Sequence, residues 1–252
     1  RQRTKGGLLH LRQPFLCGQR TKVYFSWFYA KKGEVIMGIS QMLMKLAEGM
    51  ATSCWIFGIT LLFSLPLGMV IAFGRMSKKR IVQGITKIYI SIMRGTPLML
   101  QLMVVYFGPY YLFGIKISPF YRNIAVVIGF VLNYAAYFAE IYRSGIESMP
   151  VGQYEAAEIL GYSKSQTFLH IILPQVIKRI LPSVTNEVIT LVKDTSLAFV
   201  IAVSEMFTIA KALASSQTSM VPYVAAGIFY YVFNFLVAWI MEKIEKHLSY
   251  YR

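Results

Sequence analysis

The chain is 252 residues long, with 56% hydrophobic residues, only 15% charged residues and a formal net charge of +15. Soluble domains carry about 25% charged residues, so this balance excludes an ordinary water-soluble fold. Apolar runs of about 18 to 24 residues match the ~30 Å of hydrocarbon that a spanning helix must cross. The basic residues stand beside those runs, where lipid headgroups and topology account for them, and this argues against a nucleic-acid partner. Cys17, Cys54, His10, His170 and His247 are scattered. They form neither a disulfide framework nor a metal-ligand spacing.

Residues 1–36 hold eight Lys/Arg and one acid, Glu34. Val23 to Ala30 is too short and too aromatic for a signal-peptide core, and no small-residue cleavage site follows it. This basic N-terminal segment reads either as a membrane-surface arm or, as favoured here, as a translated leader with Met37 as the start. Lys31 to Ile36 can be encoded by AAA AAA GGG GAG GTG ATT, which contains the ribosome-binding string GGAGGTGAT just before the Met codon. Residues 37–252 then form one transmembrane domain.

Within it, Ile39 to Glu48 reads as a short amphipathic stretch. The first span follows from about Ala51 to Phe73, with Pro66 and Gly68 inside it. Gly74 to Gly95 carries Arg75, Lys78, Lys79, Arg80, Lys87 and Arg94, with Ile81, Ile85, Ile88 and Ile92 at helical spacing. It is expected to be a helix on the cytoplasmic surface. Thr96 is expected to cap the next helix and Pro97 to open it. The second span is Pro97 to Gly114 and Ile115 to Arg122 is a connection. The third span is Asn123 to about Tyr142, the fourth about Ile180 to Val203, and the fifth Tyr223 to Met241. Ser204 to Pro222 reads as a polar connection. The expected fold class is therefore all-α, a polytopic membrane protein with five transmembrane helices.

Five spans put the chain's ends on opposite sides. One set of loops holds thirteen Lys/Arg, the other only Lys45, Lys116, Arg122 and Lys211. The positive-inside rule makes the first set cytoplasmic, with the mature N-terminus outside and the C-terminus in the cytoplasm.

That assignment places Glu155 to Pro174 in the cytoplasm. Pro150 fits a first helical turn, and Glu155, Ala156, Ala157, Glu158, Ile159 and Leu160 continue with good helix formers. Gly161 suits a left-handed cap. Ser163 followed by Gln166 has capping-box spacing, so a second helix starts at Lys164 and is expected to stop before Pro174. A helical hairpin this small has no core of its own and must dock on something.

Glu155-Ala156-Ala157, three residues, Gly161, nine residues, Ile171, one residue and Leu173-Pro174 resemble the EAA loop of ATP-binding-cassette importer permeases. Here that loop spans about residues 144–178. Arg94-Gly95-Thr96-Pro97-Leu98, Asn133-Tyr134, Tyr137, Glu140, Arg143, Gly145-Ile146, Gly152-Gln153 and Lys193-Asp194-Thr195-Ser196-Leu197 narrow the resemblance to the polar amino-acid permeases, over about residues 40–250. The resemblance implies the type I, MetI-like fold and a multi-pass place in a bacterial cytoplasmic membrane. It implies a second permease subunit, in a homo- or heterodimer, two ATPase subunits and an extracellular or periplasmic solute-binding protein. Glu155, Ala156, Ala157, Glu158 and Gly161 would form the coupling helices that seat on an ATPase.

The chain carries no G-x-x-x-x-G-K-[ST] phosphate loop. No catalytic residue and no cofactor are expected in it; ATP and Mg belong to the partner ATPase. Polar residues within spans are costly in lipid and mark the substrate path. The candidates are Asn133, Tyr137, Glu187, Lys193 and Asp194, each with a plainer reading as a lock between helices. Lys193 and Asp194 point about 100° apart on a helix and need not pair. Glu140 and Arg143 suit an intrahelical pair. Rival readings are an ion-coupled secondary transporter using Glu140, Glu187 or Asp194, and a purely structural or channel subunit.

Overall fold

The computed structural model describes residues 38–248, so the leader expected over residues 1–36 lies outside the described residues. Apart from the first residue of the first helix, the helices that follow lie within the unit Ser40–Arg252. These are α1 (Ile39–Arg75), α2 (Arg80–Gly95), α3 (Leu98–Phe113), α4 (Pro119–Glu147), α5 (Val151–Ile159), α6 (Leu173–Asp194), α7 (Met206–Gln217) and α8 (Val221–Leu248). No strand occurs among the described residues. Among the described residues, three helices are long and apolar enough to cross a membrane, and two bent helix pairs raise the number to as many as five.

The first expected span grows at both ends. The amphipathic stretch from Ile39 and the apolar run merge into the single 37-residue α1, which passes through Pro66. A bundle can re-satisfy the carbonyl that such a proline frees. One edge of α1 is small or polar, with Gly49, Ser53, Thr60, Ser64, Gly68 and Ala72 all buried. A Cβ built on Gly68 would lie 2.9 Å from Phe138 Cβ and 3.1 Å from the Ala135 carbonyl oxygen. Close backbone approach through small residues is how helices pack where lipid is as apolar as leucine.

α4 is the central element. It starts at Pro119, earlier than the sequence suggests, because the Ser118 side chain accepts the Tyr121 N–H and so caps it. Phe130, Tyr134 and Phe138 on α4 are among the most deeply buried side chains, with Leu102 on α3 and Leu191 on α6.

α2 departs from the surface-helix expectation. Its Tyr89 hydroxyl donates to the Leu132 carbonyl, and the Met93 carbonyl accepts from Asn133. Asn133 is the middle residue of the 29-residue α4. The break between α2 and α3, a bend of 111°, therefore lies beside the middle of a spanning helix and not at its end. The isoleucine ridge at 81, 85, 88 and 92 is exposed, while Ile90 is buried. Thr96 caps nothing downstream: its hydroxyl donates to the Ile92 carbonyl, and Pro97 is the N-cap of α3.

Pro174 does not end the second hairpin helix. Lys164–Gln166 is α-helical, Thr167–Ile172 is π-helical, and the chain runs on into α6. A π turn bonds one residue further back, as the Leu173 N–H does to the Phe168 carbonyl. The wider turn accommodates the proline's ring and missing N–H, so the hairpin is continuous with the expected fourth span.

That span ends as the 3-10 turn Thr195–Ile201, followed by Ala202 in the left-handed region at φ 56°. The polar connection expected from Ser204 is largely the helix α7. Glu205 caps it, accepting the N–H groups of Phe207 at 2.6 Å and Thr208 at 2.7 Å. The carboxylate is fully buried and also accepts from Thr208 and Tyr230 hydroxyls.

Candidate functional site

The hairpin forms as its local sequence dictates. Pro150 is the N-cap of α5, one position before the first turn. Gly161 adopts φ +80°, a conformation that side chains with a Cβ resist. The Gly161 N–H donates to the Glu158 carbonyl and the Tyr162 N–H to the Ala157 carbonyl, which is the Schellman closure. The capping box is complete: Ser163 Oγ accepts the Gln166 N–H, and Gln166 Oε1 accepts the Ser163 N–H.

Of the five residues expected at this docking site, only Ala157 is buried; Glu155, Ala156, Glu158 and Gly161 are exposed. They share the tip with apolar Ile159 (87% exposed) and Leu160 (72% exposed). The hairpin is held at its base by Gln153 and Gln175, whose amides exchange two hydrogen bonds of 2.9 Å. Arg179 adds a bond to the Ser148 carbonyl. Partial burial pushes the Tyr154 phenol up.

The second site is a cavity of about 350 Å³ beside the α2–α3 break. Its lining includes Thr96, Asn133, Tyr134, Tyr137, Glu187, Thr190 and Asp194. Four of the five expected path residues thus meet in one space. Lys193 does not: it is exposed, and the half-buried Asp194 beside it points elsewhere, accepting from the Tyr134 hydroxyl at 2.8 Å.

Asn133 is also a lock. Its amide donates to Gln101 Oε1 at 2.9 Å and to the Met93 carbonyl at 3.2 Å. The Gln101 amide donates to the carbonyls of Met93 and Thr96 and to the Thr96 hydroxyl. Three side chains thereby satisfy the backbone that the break leaves open, as irregular backbone in a bundle requires. Gln101, absent from the sequence candidates, is the partner that fixes this geometry. A lone amide within the apolar run after Pro97 was its signal.

A larger cavity, about 550 Å³, adjoins the first and shares Tyr137 and Glu187 with it. Arg94, Glu140, Arg143, Arg179 and three serines complete its polar lining. Arg143 pairs with both Glu140 and Glu147 on α4, which realises the expected intrahelical pair and extends it. Among the described residues no group of three His, Cys, Asp or Glu could hold a metal ion.

Residues 64–250 match the family model described as binding-protein-dependent transport system inner membrane component. The chain is 35% identical over 216 residues to a putative glutamine transport system permease protein of Rickettsia bellii, covering 85% of this chain and 98% of that one. It is 38% identical to an L-cystine transport system permease protein of Bacillus subtilis, covering 81% and 87%. Against an arginine transport system permease protein of the same species it is 37% identical, covering 81% and 92%. Among solved structures, the crystal structure of an amino acid ABC transporter with histidines superposes at a TM-score of 0.75 and 28% identity, covering 84% of this chain and 99% of that one. The MetNI methionine ABC transporter shares the fold, at a TM-score of 0.65 and 15% identity over 84% and 99%.

Proposed function

This chain belongs to the binding-protein-dependent transport system inner membrane components, and from that premise we propose that it is the permease subunit of an ATP-driven amino-acid importer. The observation that carries the reading is the cavity at the α2–α3 break. It lies beside the middle residue of α4, and its volume is that of a small-solute site. Its lining is rich in acceptors for an ammonium group, namely the Asp194 and Glu187 carboxylates and the Asn133 carbonyl oxygen, while the Asn133 amide hydrogens and the Thr96 and Thr190 hydroxyls already donate within the protein. The relatives carry glutamine, cystine or arginine by name, which supports a polar amino acid.

The chain works as one part of an assembly. Two ATPase subunits supply ATP and Mg, and each permease hairpin seats in an ATPase through Glu155, Ala156, Glu158 and Gly161, with Ala157 packing beneath. Ile159 and Leu160 add apolar contact. The continuous helix from Lys164 into α6 carries hairpin movement to Glu187 and Asp194. Exposed Ser183, Asn186 and Lys193 on α6 face a second permease or the water-filled path, because lipid would penalise them. A solute-binding protein delivers substrate outside, the hairpin and C-terminus lie in the cytoplasm, and residues 37–252 form the transmembrane domain. Two of the three carboxylates that the ion-coupled rival would use are engaged, Glu140 by Arg143 and Asp194 by Tyr134.

The test is uptake of radiolabelled arginine, glutamine and cystine into proteoliposomes holding the chain with its ATPase and binding protein. The expected result is ATP-dependent accumulation of at least one. Transport that persists with a disabled ATPase overturns the reading.

A further inference from the structure

The two polar cavities share a wall, and one cation stands on it. Tyr137 and Glu187 line both spaces, whereas Arg94 lines only the larger one. The Arg94 guanidinium lies 5.4 Å from the centroid of the Tyr137 ring. An arginine over an aromatic face is held by the ring quadrupole, and more strongly where water is excluded.

Arg94 also sits on a pivot. It occupies the last turn of α2, next to the 111° bend. Gln101 and Asn133 hold the backbone on either side, at the Met93 and Thr96 carbonyls. The residue between, Gly95, has open space around it: a Cβ there would meet nothing within 4 Å. Arg94 has a second place to go. Glu140 is already held by Arg143, but Glu187 lines the same cavity and is not paired in that way.

We propose that Arg94 and Tyr137 form an inner gate between the mid-span cavity and the larger cavity. With the guanidinium on the ring, the two spaces are separate. When the α2–α3 break turns, the guanidinium leaves the ring for Glu187 and solute passes inward. Arg94 is a gating residue and Glu187 the acceptor that makes its release inexpensive. This inference rests on the transport reading above.

Efflux from proteoliposomes holding the complete complex tests it. Vesicles are first shown to take up labelled arginine, glutamine or cystine with ATP, then the retained label is followed without ATP. R94Q, R94M and Y137L are expected to raise ATP-independent efflux about tenfold, the change set by losing ~1.4 kcal/mol of contact. R94K and Y137F keep a cation and a ring, and are expected to stay within about twofold of wild type, since lysine and phenylalanine also make this contact. The ratio of ATPase to permease checks assembly, and R94M, which keeps length and loses charge, replaces R94Q if that variant does not assemble. Efflux from the charge-free variants at the wild-type rate overturns the gate alone, as does R94K leaking as much as R94Q. A wild-type complex that takes up none of the three solutes overturns the transport reading and the gate with it.

Discussion

Tyr134 donates its phenolic hydrogen to Asp194 across 2.8 Å, joining the middle of α4 to the last residue of α6 at the edge of the mid-span cavity. The phenol is buried, and the carboxylate is half-buried. A hydrogen bond to a charged group contributes about 1.5–3 kcal/mol, and a buried acceptor left without its donor costs as much. Tyr134→Phe is therefore expected to lower thermal stability of the solubilised chain by that amount. Asp194→Asn in the same background should recover part of the loss, because the neutral amide needs less compensation. Thermal unfolding of the two single variants and the double variant forms a cycle. Equal effects of Tyr134→Phe with Asp and with Asn at position 194 would show that the charge on Asp194 adds nothing to the bond.

Asn133 and Gln101 act as one unit. Asn133 donates to Gln101, and both donate to the Met93 carbonyl. Removing either side chain opens the same backbone, so Asn133→Ala and Gln101→Ala should each cost about 1–2 kcal/mol, and the double variant little more than one of them. Uptake is expected to fall with both, since Asn133 lines the cavity and Gln101 holds Asn133 in place. Additive losses in stability would separate the two residues and return Asn133 to the list of direct substrate contacts.

How far the sequence foretold these features depends on how local their causes are. The hairpin was legible because its determinants are neighbours in the chain: Gly161 terminates α5 and Ser163 with Gln166 begins the next turn. Asn133 was legible as an anomaly in an apolar run, but its partner Gln101 lies 32 residues away and the pairing is a product of packing. Pro174 misled, whereas Pro66 was rightly expected inside the first span. Proline stops an isolated helix, yet packed neighbours, or a π turn, can absorb the lost bond. The Ser204–Pro222 stretch looked like a loop because of its serines and threonines. Glu205 as the cap of α7 is the signal that a search for helix starts would have weighted. The break beside Asn133 was misplaced because charge at Arg94 suggested a membrane surface, whereas its contacts set it against the middle of α4.

Gly161 sets the angle of the hairpin tip. At φ +80° a residue with a Cβ pays roughly 1–2 kcal/mol. Gly161→Ala is expected to reduce ATP-coupled uptake several-fold while leaving membrane insertion intact. Gly161→Pro should abolish uptake and ATPase docking, since proline cannot take a positive φ and has no N–H to give the Glu158 carbonyl. Glu155→Lys, which leaves the backbone alone, tests charge at the same tip and should also weaken docking. Co-purification of the ATPase with each variant is the readout. Normal co-purification and uptake with Glu155→Lys and Gly161→Pro would remove the hairpin from the coupling role.

Pro174 tests whether the π turn matters to that coupling. The Leu173 N–H reaches back to the Phe168 carbonyl, one residue further than in an α-helix. Pro174→Ala restores an N–H that can bond to the His170 carbonyl and removes the ring that crowds it, so the segment is free to relax towards α geometry. Losing the one-residue offset rotates everything before it by about 100° relative to α6 and shifts it by ~1.5 Å. The hairpin tip would then turn while α6, anchored by Val176, Ile180 and Leu191 in the core, stays in place. The expected outcome is a chain of unchanged or slightly higher stability whose ATP hydrolysis responds less to the binding protein. The measurement is the ratio of stimulated to basal ATPase activity in reconstituted complexes. A ratio equal to wild type, with the π turn shown lost by structure determination, would make the turn a tolerated consequence of the proline and not part of the lever.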